Sequence, residues 1–355
     1  MKNRIISAIL ATIMVLGLAA CGSGANQTAS STAPSNQTTS AQSTPEQAAP
    51  GKKISIFIMP KLVGIDYYNV VKLGVDEAAE ELKDVADITW LGPTEFSVEK
   101  QIEMLETIIP QKPDVICVAA NDFDALVPVF KEAAAGGTKI VTWDSDASYR
   151  DFFVNLVDYD VFGFALIDSL AEQIDEKGDI AIITTSFTTD NHVRWIDAIN
   201  RRIEEKYPDI NVADIRPAGE DTQKANQITQ DFIKTIPNLR GVITMGAPNL
   251  LGAVEAVKSA GKVGEVIVEG NSTPNIMKQH LKDGSIRDVL LWPVQGHGYL
   301  TCYSAYRLAT EGLAEGKAFE AGSMGSFTPV KDDISLHISL PIQVFTKDNV
   351  DDFDF

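Results

Sequence analysis

Apolar positions recur along this chain with two periods, and the two periods alternate. Ile54, Ile56, Phe57, Ile58 and Met59 make a short apolar run that reads as a strand. Residues 70–82 then carry apolar side chains at helical spacing among good helix formers. A strand follows over 86–91, closed by Gly92-Pro93, and an amphipathic helix over 98–109, closed by Pro110. Residues 115–118 form a continuous apolar strand, the pattern expected when helices cover both faces of a sheet. A helix over 125–135 stops at Gly136-Gly137, and the next strand spans 139–143.

After a polar stretch over 144–151 the pattern resumes. Strands are predicted at 152–155, 179–184, 212–215, 242–245, 265–268 and 289–292. Helices are predicted at 161–174, 192–206, 224–236, 250–260, 275–281 and 298–312. Strand-like pieces at 336–340 and 342–345 end the chain. Such alternation predicts parallel sheets, and the strands are too many for one small sheet. Two Rossmann-like α/β lobes are expected, with an eight-stranded barrel as the alternative. The polar stretch sets the expected division: a first lobe of 52–146 plus 271–292, and a second of 147–270 plus 293–355.

The first 51 residues follow different rules. Lys2 and Arg4 precede an uncharged apolar run over 5–18, the pattern of a secretory signal. Leu18-Ala19-Ala20-Cys21 resembles a bacterial lipobox, which implies cleavage before Cys21 and lipidation of its thiol. An uncleaved membrane helix is the alternative, but the run is short for a span of about 20 residues. Residues 22–51 are Ser, Thr, Gln, Asn, Ala and Pro with little charge, a composition expected to remain an unstructured tether. The chain is therefore expected to be exported and held at the outer face of the cell membrane. No second membrane segment is expected after Lys53.

A formal charge of −19 argues against nucleic acid as a partner and against docking by a basic patch on anionic lipid. It leaves neutral ligands open. Of the three cysteines, Cys117 lies in an apolar strand and Cys302 in a helical stretch, and both are expected as small core residues rather than a disulfide.

Candidate chemistry gathers in loops that follow strands. Lys61 comes directly after the first strand, where a lysine is costly to desolvate and so should face a cleft or partner; a plain surface lysine is the alternative. Tyr67 and Tyr68 follow it and offer aromatic faces. Asp144 and Asp146 end another strand, and Asp144 is expected to face a ligand while Asp146 serves the connection. Asp190, before a helix, is either its N-cap or a ligand acceptor, and Asn191 adds one donor group and one acceptor. The 244–249 loop, with Met245 and Ala247, lets backbone approach a ligand or makes an ordinary tight turn. Asn271 is placed to reach a cleft, Thr273 to cap a helix with Pro274 at its first position, and Trp292 to stack on a ring or to pack in the core. In parallel sheets these loops converge on one side.

No nucleophile–base pair, phosphate-cradling loop or zinc spacing occurs, so neither an enzyme nor a metal or other cofactor is expected. His192, His280, His297 and His337 are scattered in sequence, and His297 is expected at the surface, with a place near the cleft as the alternative.

Five stretches carry a family resemblance: Pro60-Lys61-Leu62-Val63-Gly64, Gly92-Pro93-Thr94-Glu95, Thr142-Trp143-Asp144-Ser145-Asp146, Ser272-Thr273-Pro274-Asn275, and Phe345-Thr346-Lys347-Asp348-Asn349-Val350. With them, residues 53–355 resemble the exported solute-binding proteins of ABC importers, in the autoinducer-2 receptor (Lsr-type) branch of the sugar-binding group. The resemblance implies a periplasmic binding protein type I fold, with three crossovers joining lobes that close on ligand as a hinge. It implies a small neutral polyhydroxylated ligand and an ABC permease as partner, with a subunit that presents its ligand to a sensor or chemoreceptor as the alternative, and a monomer is expected. It places family ligand contacts on Lys61, Asp144, Asp190 and Ala247. Two positions depart: Asn191 stands for a glutamine and Met245 for a proline. Rhamnose- and pentose-binding relatives share the architecture.

Overall fold

The computed structural model describes residues 52–355. The expected signal segment, Cys21 and the tether lie outside them. The chain runs through β1 (Ile54–Met59), α1 (Asp66–Glu81), β2 (Ala86–Trp90), α2 (Val98–Ile108), β3 (Val115–Val118), α3 (Val127–Ala135), β4 (Lys139–Asp144) and β5 (Phe152–Asn155). It continues through α4 (Tyr159–Gln173), β6 (Gly178–Thr184), α5 (Asp190–Lys206), β7 (Ile210–Pro217), α6 (Thr222–Thr235), β8 (Leu239–Thr244), α7 (Ala247–Ser259), β9 (Ile267–Gly270), α8 (Pro274–Lys282) and β10 (Asp288–Leu291). It ends with α9 (Val294–Thr310), β11 (Phe319–Glu320), β12 (Ser326–Phe327), β13 (Val330–Lys331), β14 (Leu336–Ser339) and β15 (Gln343–Thr346).

Two open sheets carry the fold. The first has the order β13-β14-β5-β4-β3-β1-β2 and is parallel apart from β13 at its edge. The second, β7-β6-β8-β9, is wholly parallel. The antiparallel pair β10-β15 extends it through a bridge between Asn271 and Leu290. Open edges exclude the barrel. The continuous apolar strands β3 and β5 are buried along their whole length, as strands covered on both faces must be. Side-chain oxygens stop the orphan donors of several helices: Ser97 caps α2, Asp158 caps α4 and Asp221 caps α6.

Strand pairing corrects the expected division of the chain. β5 lies beside β4 in the first sheet, so 147–155 belongs to the first lobe. α9 packs on α1 and on the first sheet, and β14 pairs with β5, so most of 293–340 also belongs there. β9, α8 and β10 build the second lobe, not the first. The polar stretch 144–151 is a return loop within one sheet. Its polarity comes largely from a buried cluster in which Arg150 pairs with Asp146 at 2.7 Å and with Asp332 at 2.5 Å. Asp146 thus serves a return loop within the first lobe rather than the expected linker between lobes. The chain crosses between lobes three times, at 156–158, 292–293 and 340–342. A polar loop between strands looks alike in sequence whether it closes a sheet or joins lobes, and only pairing separates the two cases.

Other readings hold or shift locally. Cys117 and Cys302 are free and buried. His297 is fully buried, not at the surface: its Nε2 donates to the Val154 carbonyl at 2.9 Å, and its ring lies edge-on to Trp143. Pro274 opens α8 as expected, but Thr273 makes no capping bond.

α1 and α9 approach so closely that only glycine fits between their backbones. A Cβ on Gly74 would stand 1.8 Å from the Gln295 carbonyl oxygen, and one on Gly298 2.1 Å from that of Val71. Gly298→Ala should therefore force the helices apart and cost about 1–3 kcal/mol or more, read as a lowered urea midpoint; an unchanged midpoint would show that the contact relaxes freely.

Candidate ligand-binding site

The carboxyl ends of the parallel strands face one another across the two lobes. Lys61 lies in the loop after β1, Asp144 ends β4, Asn191 sits in the first turn of α5 after β6, Ala247 opens α7 after β8, and Asn271 follows β9. Tyr67 and Tyr68 come from the first turn of α1, and Trp292 from the second crossover. These eight residues line one cavity together with Ile65, Leu156, His192, Trp195, Glu220 and Gly246. The cavity measures about 20 Å³, room for one or two water molecules.

Its centre is a charged network withdrawn from water. Lys61 Nζ pairs with Asp144 Oδ1 at 2.9 Å, with side chains only 2% and 4% exposed. Tyr67 donates its hydroxyl to Asp144 Oδ2 at 2.8 Å, and the Trp292 indole N–H donates to Tyr67 Oη at 3.1 Å. Burial, reinforced by Asp144, holds the Tyr67 phenol well above its ordinary range, so it stays a donor. Asp144 reaches this position with φ of +63°, a left-handed conformation that Asp tolerates better than most residues and that strains the backbone.

The second lobe supplies polar groups of a different kind. Asn191 is buried, and its Oδ1 has no hydrogen-bond partner. Asn271 Oδ1 accepts from the Gly246 N–H at 3.2 Å. His192 is buried, and burial together with Lys61 drives its imidazole well below the usual range. Its Nδ1 accepts from the Thr185 N–H at 3.3 Å, which puts the proton of this neutral ring on Nε2. Trp292 stands between the lobes, its ring near Tyr67 on one side and near Phe162 and Trp195 on the other.

Two expected contacts are elsewhere. Asp190 is the first residue of α5 rather than its cap, and it does not line the cavity. Arg194 Nε holds its carboxylate at 2.8 and 3.0 Å, and Tyr159 Oη donates to it at 2.9 Å. Burial raises its pKa despite Arg194. Met245 is fully buried beneath the site, where its carbonyl accepts from Asn249 Nδ2 at 2.8 Å. Sequence reasoning also misses Glu220, whose loop follows β7 as the others follow their strands; that position was the available signal.

The lobes touch at the rim. The Phe123 N–H donates to the Thr188 carbonyl at 3.2 Å, and Thr189 Oγ1 donates to the Asn121 carbonyl at 3.2 Å. Asn121 in turn donates its amide to the Lys61 carbonyl at 3.2 Å, which ties the rim to the charged network.

A family described as "Periplasmic binding protein domain" matches residues 56–313. The chain is 23% identical over 243 residues to the D-ribose/D-allose-binding protein of Pseudomonas aeruginosa, covering 66% of this chain and 76% of that protein. LsrB from Clostridium saccharobutylicum, solved in complex with AI-2, superposes with a TM-score of 0.80 at 22% identity, covering 85% of this chain and all of that one. An ABC transporter solute-binding protein from Clostridium phytofermentas with bound L-rhamnose gives 0.80 at 23% identity, covering 85% of this chain and 98% of that one. At this identity the superpositions speak for the fold.

Removing one partner of a buried ion pair leaves the other charge desolvated, at a cost of about 3–5 kcal/mol. Asp144→Ala should lower stability by that order in urea unfolding at neutral pH; a change no larger than that of a surface substitution would show that Lys61 finds water.

Proposed function

Because the chain belongs to the periplasmic binding protein family, we propose that it encloses a small, neutral, polyhydroxylated solute between its lobes and presents it to an ABC permease in the membrane. The observation that carries this reading is the buried hydrogen-bonding set at the lobe interface. Lys61, Asp144 and Tyr67 offer charge-assisted donors and acceptors from the first lobe. The unpartnered Asn191 oxygen faces them from the second. Hydroxyl groups match such a set, and an analogue lacking one would leave a buried polar group unpaired.

Capture requires movement. A cavity of about 20 Å³ does not admit a monosaccharide, so the lobes must part at the rim bonds between Phe123 and Thr188 and between Thr189 and Asn121. Three short crossovers permit that motion, and Trp292 rides on one of them. The closed form then differs from the open one in the surface it offers a permease.

Among solutes of this class, the furanosyl tetraol of autoinducer-2 is our first reading. Three of the four positions the family resemblance assigns to it, Lys61, Asp144 and Ala247, line the cavity, and Asp190 does not. L-Rhamnose, bound by the Clostridium phytofermentas relative, is the second reading, and the engagement of Asp190 with Arg194 instead of the cavity counts against the first. The lipobox-like Leu18-Ala19-Ala20-Cys21 supports export and anchoring at the membrane's outer face. Among the described residues no helix is long and apolar enough to cross a membrane.

Titration calorimetry separates the readings. Saturable heat with autoinducer-2, lost in Asp144→Ala, is the expected result. Binding of rhamnose or ribose with no response to autoinducer-2 rejects the first ligand, and no response to any polyol rejects the class. Cys21→Ala should move the protein from the membrane fraction to the soluble exported fraction; continued membrane retention would point to an uncleaved N-terminal helix.

A further inference from the structure

We propose that Glu220 is the carboxylate with which the second lobe grips the ligand's hydroxyl groups, in the role expected of Asp190, so that capture and release respond to pH. This inference rests on the reading above.

Glu220 is fixed at the carboxyl end of β7. The preceding backbone is held to the end of β6, with the Ala218 N–H donating to the Thr184 carbonyl at 2.8 Å and the Gly219 N–H to the Thr185 carbonyl at 2.9 Å. Asn249 Nδ2 donates to the Gly219 carbonyl at 3.0 Å from α7. The carboxylate lies against Gly246, where a Cβ would come within 2.9 Å of Oε2. Gly246 has φ of +97°, so both its backbone and its missing side chain make room for Glu220.

Among the described residues Glu220 makes no hydrogen bond or ion pair, although it lines the cavity beside Lys61 and Asp144. It is the cavity carboxylate without a partner. The groups that face it are Lys61 from the β1–α1 loop, Asp144 from β4, Tyr67 and Tyr68 from α1, and the neutral His192 from α5. Lys61 is already matched by Asp144. Glu220 is only partly buried, and when ionised it leaves the cavity one negative charge in excess, with no donor of the protein bonded to it. Ligand hydroxyls can do so, because hydrogen bonds to an ionised acceptor are roughly twice as strong as neutral ones.

Withdrawal from water, with Asp144 adding and Lys61 opposing, pushes the Glu220 carboxyl up to about 7. Below that pH the free protein holds a proton that a hydroxyl-donating ligand must displace. Affinity should then fall as pH falls, with about one proton released per ligand bound on the acid side.

Calorimetry of the full-length protein with autoinducer-2 and with L-rhamnose, in two buffers of different ionisation heat, tests this. The ligand that binds should bind about tenfold more weakly at about pH 6 than at about pH 8, with proton release at the lower pH. Glu220→Gln should bind more weakly than wild type at the higher pH, with a flat pH response and no proton release. Asp190→Asn should keep the wild-type pH response. Equal wild-type affinity at both pH values, or a pH response that survives in Glu220→Gln, overturns the inference while leaving the polyol reading intact. Absence of binding by either ligand at both pH values removes the two together. If Glu220→Gln does not fold, the wild-type pH response and proton count decide.

Discussion

The desolvated ion pair between Lys61 and Asp144 is the constraint around which the site is arranged. Taking both charges out of water costs several kcal/mol per ion, which close geometry and further hydrogen bonds must offset. The 2.9 Å separation provides the first, and Tyr67, itself oriented by the Trp292 indole, provides the second. The pair also dictates backbone. Asp144 holds a left-handed conformation at the end of a buried strand, and strain of that kind persists only when surrounding structure over-determines it. Trp143, just before it, is fully buried among Tyr68, Trp90 and His297.

Stabilising that pair on one lobe leaves the other lobe to supply what the pair does not. Asp144 has its partners within the first lobe, so the second lobe faces it with groups that lack partners: the Asn191 oxygen and the Glu220 carboxylate. This asymmetry separates holding the site from sensing the ligand. On the proposed reading the first lobe is preorganised, and the second gains hydrogen bonds when a solute arrives. Closure by ligand is favoured for that reason, since a ligand shifts an equilibrium only by binding one state better than the other.

Asp190 illustrates how a side chain one helical turn from a cation loses its expected role. Arg194 lies four residues on along α5, the spacing that brings side chains together, and Tyr159 completes the enclosure. The Arg194 guanidinium also lies over the Tyr159 ring and near Phe123, a first-lobe residue next to the rim bonds. Asp190 is thereby tied to the interface between lobes rather than to the cavity. Arg194 was legible in the sequence at that spacing, and its pairing with Asp190 follows from it.

What the sequence determined by itself is the class of fold and most of the ligand edge. Strand and helix periods follow from which side chains must leave water, so β3 and α2 were legible within a residue or so. In a parallel α/β sheet, loops after strands share one edge by geometry, and Lys61, Asp144, Asn191, Ala247, Asn271 and Trp292 follow from that rule and do line the cavity. The tertiary structure alone decided which lobe each late segment joins, because strand pairing and the glycine-tight contact of α1 with α9 leave no local trace. It alone showed that His297 is a core residue and that Asp190 turns away. It also brought forward Glu220, whose meaning depends on Gly246, Lys61 and Asp144, all distant in sequence. Burial and charge neutralisation are properties of neighbours in space, and a linear chain names those neighbours only once it has folded.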